Sequence, residues 1–188
     1  MKKYLIIISL ALAVMNAFGQ ERHIVMPERP ADGYNIAEKG IGYWCAIEAI
    51  GGSTVMDNMK NVAMVAATFT SGYRFNQYVK VGAGLGVLYY PNNKNVRRRD
   101  SHFSIPLFLN VRGNMLSDEM RRTVPFWSVN LGTSIPDGFF FTPAVGLRIG
   151  EKRSAFLISL AYTIRHMDSY PENVNYYSGA LLKLGYEF

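Results

Sequence analysis

Few side chains in this sequence are spaced for chemistry. The sharpest candidate is His102-Phe103-Ser104. Residues two apart in a strand share a face, so the His102 imidazole would stand beside the Ser104 hydroxyl and take its proton, making Ser104 a nucleophile for acyl transfer. Such a pair needs an acid to orient the imidazole, and no glutamate of a neighbouring segment is obviously placed for it. Strand parity turns both residues toward the polar face described below, where a structural role at a rim accounts for them. Gly82, Gly84 and Gly86 suggest a phosphate loop only superficially, because that fingerprint opens a helix and these glycines alternate within a strand. His23, His102 and His166 are scattered without a His-Glu-x-x-His spacing, so neither metal nor cofactor is expected. Lys94 with Arg97, Arg98 and Arg99 forms a basic run whose guanidinium forks suit phosphate oxygens; a solvated loop is the plainer account. Cys45 is the only cysteine, which excludes an intramolecular disulfide and leaves it as a small apolar residue.

The elements that must carry these residues follow from the rest of the chain. Its 188 residues, 49% hydrophobic and 18% charged, suit one domain. Lys2 and Lys3, an apolar run from Tyr4 to Met15 and the small-x-small step Ala17-Phe18-Gly19 mark residues 1–19 as a signal peptide. The apolar run is shorter than the roughly 20 residues of a helical span. Cleavage leaves 18 basic against 14 acidic side chains, a mild +4 that gives no reason to expect nucleic acid. After the signal there is no long apolar run. Residues 20–39, with Pro27 and Pro30, read as a periplasmic leader.

From there the chain alternates. Eight segments, near 41–50, 61–71, 77–90, 102–113, 123–133, 138–149, 154–166 and 176–188, carry one uncharged parity, as in Val79, Val81, Ala83, Leu85, Val87 and Tyr89. The opposite parity holds glycines together with Glu48, Lys80, Arg112, Asn130, Arg148, Arg165, Lys183 and Glu187. A lysine or arginine at mid-bilayer costs roughly 2–4 kcal/mol, so a charge-free face fits lipid. The other face fits a narrow lumen, where glycines would leave room for long cations and buried charges must be paired. The expectation is all-β: an eight-stranded antiparallel up-and-down transmembrane β-barrel over 40–188. Surface loops would be 51–60, 91–101, 134–137 and 167–175, alternating with periplasmic turns at 72–76, 114–122 and 150–153. Outer-face aromatics sort toward strand ends: Tyr43, Phe69, Trp127, Phe156, Tyr186 and Phe188 at one, and Tyr89, Phe103, Phe139 and Tyr176 at the other. Two aromatic girdles are expected of such a wall.

Several stretches carry a likeness: Gly72-Tyr73-Arg74-Phe75-Asn76-Gln77-Tyr78 before Val81-Gly82-Ala83-Gly84-Leu85-Gly86, then Ile105-Pro106-Leu107-Phe108-Leu109, Pro125-Phe126-Trp127, and the ending Leu184-Gly185-Tyr186-Glu187-Phe188. Over residues 40 to 188 the chain resembles the small outer-membrane β-barrel proteins of Gram-negative bacteria, the porin-like, OmpA-OmpX-type barrel domains. The resemblance implies residence in the outer membrane and contact with its lipid and lipopolysaccharide. It also implies an assembly signal at Tyr186 and Phe188, read by the barrel assembly machinery. The family shares a fold and not one activity, so no catalytic residue is carried over. The expected role is structural or surface-interacting, as a monomer with an interior filled by side chains, and not enzymatic. Two rivals stand beside it. One is a lipid-modifying enzyme, since some outer-membrane lipid A deacylases use a His-x-Ser pair. The other is a soluble exported barrel holding a lipophilic ligand, with the two faces reversed.

Overall fold

The computed structural model describes residues 41–56, 61–91, 102–118, 121–151, 154–167 and 175–188. The expected signal peptide and leader lie outside these. Every regular element described is a strand: β1 (Gly42–Met56), β2 (Asn61–Arg74), β3 (Lys80–Tyr89), β4 (Phe103–Asn114), β5 (Thr123–Ile135), β6 (Gly138–Glu151), β7 (Ser154–Met167) and β8 (Asn175–Glu187). Each pairs antiparallel with the next, and β8 returns to β1, closing an eight-stranded barrel. Closure is sealed by a reciprocal pair of backbone bonds: Cys45 N–H donates to the Phe188 carbonyl at 2.8 Å and Phe188 N–H to the Cys45 carbonyl at 2.9 Å. A closed ring leaves no unpaired edge for lipid to meet. Below, the end of the barrel holding Gly42 and Phe188 is called the lower end.

The period-2 pattern becomes an inside and an outside. In β3, Lys80, Gly82, Leu88 and Tyr90 just beyond it are buried, while Val81, Leu85, Val87 and Tyr89 are exposed. The exposed face is apolar all round, from Ile47 and Val65 to Leu109, Val145, Leu160 and Leu184. This removes the soluble-barrel alternative, which needed the apolar face inside. The strands run 10 to 15 residues, and roughly 9–11 tilted residues cross a bilayer. They are therefore long enough to span it and project beyond.

Several boundaries differ from expectation: β3 begins only at Lys80, β5 and β6 each run two residues further, and the ends of β1 and β2 shift as well. β1 continues to Met56 and β2 to Arg74, so the loop expected at 51–60 shrinks, as does the turn at 72–76. Gly51 and Gly52 look like breakers, but Gly52 is held on both sides by Met64 and Leu181, so partner strands override its weak propensity. The turn after Arg74 is instead organised by Asn76, whose Oδ1 accepts from the N–H groups of Tyr78 and Val79, both at 2.8 Å.

Proline marks two lapses in the ladder. Pairing of β3 with β4 stops after Leu85–Leu107 and resumes at Leu88–Ser104 in the same register, across Pro106. Pairing of β6 with β7 lapses between Phe141–Ile164 and Ala144–Ala161, across Pro143. Proline has no N–H to give. At the second lapse the hydroxyls of Thr142 and Thr163 meet at 2.8 Å and bridge the strands instead.

Outer-wall aromatics gather at both ends. At the lower end Tyr43 meets Tyr73 edge-on at 5.6 Å, Tyr73 meets Phe75 at 5.3 Å, and Phe156 meets Tyr186 at 5.0 Å. At the upper end Tyr89 and Phe103 lie 5.1 Å apart. Phe69 departs from its expected place at the lower end. It lies in a shallow hollow of the wall shared with Leu85, Leu109 and Phe139.

Candidate functional site: the charged interior

The inner face concentrates charge at the lower end. Glu48, Lys80, Arg112, Lys183 and Glu187 are each about 1% exposed. Parity aims these side chains at the axis, and the small radius brings them together. Glu187, the last inward residue of β8, accepts from Arg74 Nη2 at 2.7 Å, from Lys80 Nζ, and from Arg148 Nε at 3.3 Å. Arg112 Nη1 lies 3.8 Å from its other oxygen. One carboxylate therefore gathers cations from β2, β3, β4 and β6. Glu48 forms the next level, with Lys183 Nζ at 3.0 Å and Arg112 Nη2 at 3.4 Å. The Arg112 guanidinium also stacks on Trp44, 4.5 Å from the ring centre.

A third carboxylate comes from a loop. Asp118, after β4, sits 3.8 Å from Arg148 Nη1. Gln77 holds it there: its Oε1 accepts from Ser117 Oγ at 3.0 Å and from Asp118 N–H at 3.1 Å. The segment after β4 is thus tied beneath the β2–β3 turn. Low dielectric makes such pairing obligatory, because a lone buried charge is far costlier than a paired one.

Above this cluster the polarity changes. Arg112 Nε donates to Asn110 Oδ1 at 2.8 Å, and Asn110 Nδ2 in turn donates to Asn130 Oδ1. Higher still, Ile50, Met64, Leu88, Ala144, Ala161, Tyr177 and Leu181 form a continuous apolar cluster. Arg165 is buried beside it, with its guanidinium carbon 4.8 Å from the Phe140 ring centre. The inner glycines serve rings more than cations, unlike the sequence expectation. A Cβ on Gly84 would strike the Phe108 ring, and one on Gly82 would press Trp44 at 3.1 Å.

The structure gathers seven of the eight inward residues named from parity into the lower cluster and its amide extension, and sets Arg165 apart. Arg74, Asn110 and Asp118 join without having been named. Arg74 and Asn110 carry a usable signal, since each continues the inward parity of its strand. Asp118 carries none.

His102 and Ser104 do not form a couple. Ser104 is buried, 2.6 Å from the Ser134 hydroxyl and 3.2 Å from the Ile135 carbonyl it donates to. His102 was expected to turn inward. It precedes the first residue of β4, so strand parity does not bind it; it is exposed beside Tyr89, with Nδ1 3.1 Å from the Tyr90 carbonyl. Among the described residues no three His, Cys, Asp or Glu side chains are grouped to hold a metal ion. Lys94, Arg97, Arg98 and Arg99 lie outside the described residues. Tyr186 and Phe188 are exposed on the wall, their rings stacked 6.3 Å apart.

No protein-family profile matches the chain, and no curated protein matches it either. Solved structures do. Neisserial surface protein A is similar at a TM-score of 0.54 with 11% identity, over 78% of this chain and 96% of that one. The N-terminal β-barrel domain of Pseudomonas aeruginosa OprF gives 0.44 and 14%, over 79% and 99%. The outer membrane protein AlkL, solved in DMPC bilayers, gives 0.42 and 18%, over 89% and 96%. The likeness to the first is one of fold, and it agrees with the apolar wall and charged lumen: this is an eight-stranded barrel of the outer-membrane type.

Proposed function

We propose that the protein is an integral outer-membrane barrel with a structural or surface-interaction role, its interior filled by side chains rather than opened as a pore. One observation carries this reading. Trp44, Lys80, Tyr90, Arg112, Arg148 and Lys183 are among the largest fully buried side chains, and all project into the lumen. An eight-stranded wall encloses a space just wide enough for its own side chains. The ion pairs across that space tie opposite strands together, which suits a rigid plug and not a conduit.

Membrane lipid surrounds the wall in this reading, and the protein acts as a monomer. Lipopolysaccharide phosphates are the surface ligand, gripped by Lys94, Arg97, Arg98 and Arg99. The assembly machinery recognises Tyr186 and Phe188. The full chain, folded into planar bilayers, is expected to give no steady conductance; sustained single-channel steps would overturn the filled interior. Replacing Arg97, Arg98 and Arg99 together by alanine is expected to lower lipopolysaccharide retained on purification several-fold, and retention unchanged from the parent would remove the surface ligand.

A further inference from the structure

The upper chamber holds a cation that the ion-pair cluster does not reach. Arg165 is 6% exposed, and its Nε and Nη1 have no hydrogen-bond partner. No carboxylate among the described residues pairs with it. The buried acid of the upper end, Asp137, accepts instead from Tyr90 Oη at 2.9 Å. The Phe140 ring face offers Arg165 a weak attraction, which leaves its N–H groups unsatisfied. A buried guanidinium in this state is strongly disfavoured unless something accepts its hydrogens and offsets its charge.

Arg165 borders a small cavity of about 20 Å³ whose wall is mostly apolar, with Phe108 and Phe140 in it, and whose other polar members are Asn130, Thr68 and Thr142. The polarity of Asn130 there is fixed from below. Arg112 can only donate, so Asn110 Oδ1 must accept from it. Asn110 Nδ2 therefore donates to Asn130 Oδ1, and the Asn130 amide is left with its NH₂ as the free group. The cavity is thus bordered by Arg165, whose Nε and Nη1 are buried without a partner, and by a residue whose remaining hydrogen-bonding group is an NH₂. Roughly 10–15 Å³ is enough for a water-sized occupant.

We propose that this chamber binds one small monovalent anion, of halide size, held by Arg165 and Asn130. A water molecule accepts only part of what these donors offer and leaves the charge standing. An anion accepts from each of them and neutralises Arg165 in a low-dielectric interior. Selectivity follows from size. A six-carbon anion such as gluconate is too long for the space.

The test refolds the full chain in detergent with chloride, bromide or gluconate at constant ionic strength, and reads thermal unfolding by tryptophan fluorescence. The expected result is a melting temperature that rises by a few degrees with halide and saturates, while gluconate has no effect. Arg165→Met is expected to abolish the difference between halide and gluconate. Equal melting of the parent protein in all three salts would overturn the site. Should Arg165→Met fail to fold, bromide-grown crystals of the parent decide: an anomalous peak against Arg165 supports the site, and an ordinary water there, without anomalous signal, sinks it.

Discussion

The two halves of the lumen solve one packing problem in opposite ways. The lower half is governed by ions, packed beside a smaller apolar cluster of Trp44, Ala46, Phe126 and Leu157. Glu187 and Glu48 draw Arg74, Lys80, Arg112, Arg148 and Lys183 inward from five different strands. The upper half is filled by Ile50, Met64, Leu88 and Leu181, with Arg165 beside them and the buried Asp137 bonded to Tyr90. Ions act over distance and between specific partners, so the lower half dictates which strands stand opposite one another. Apolar packing is non-directional and tolerates small changes of shape. The lower half therefore specifies the closed ring, and the upper half stabilises whatever ring has formed.

The largest effect should come from Glu187→Gln. It keeps the shape and removes the shared counter-charge of four cations, and breaking a buried ion pair on one side costs about 3–5 kcal/mol. Urea unfolding in detergent should show a midpoint far below the parent's, and a near-parental midpoint would end the claim that the lower cluster governs closure. Ile50→Val should sit at the other extreme. It deletes one methylene from the apolar cluster and should cost about 0.5–1.5 kcal/mol in the same assay. A loss as large as that of Glu187→Gln would mean the upper half is as exacting as the lower.

This contrast also explains what could be seen in the sequence. Period-2 alternation over eight segments is enough for the barrel, because a strand has only two faces. Parity likewise places Glu48, Lys80, Arg148 and Lys183 on the inner side. Parity says nothing about height along the axis, so it lists inward residues without separating Arg165 from the cluster. Height depends on strand tilt and register, which no single segment encodes. Trp44, Phe108 and Phe140 escape parity for a related reason: an inward ring breaks the polar character of its face, and only the inner glycines beside Trp44 and Phe108 mark the space those rings need. Asp118 was out of reach because a loop, not a strand, delivers it. His102 misled because parity ends where the strand ends.

Finally, the lapses at Pro106 and Pro143 have a mechanical meaning. They divide the wall lengthwise into two curved panels, a narrow one of β4, β5 and β6 and a wide one of β7, β8, β1, β2 and β3. The panels meet along two seams, each interrupted where a proline breaks the ladder. Arg112 and Arg148 belong to the narrow panel, and Glu48 and Glu187 to the wide one. The pairs that Arg112 and Arg148 make with these acids are therefore struts that cross the bore from panel to panel, while Arg74, Lys80 and Lys183 pair within the wide panel. The cross-bracing thus lies at the lower end, and both interruptions of the seams lie above it, beside the apolar part of the lumen.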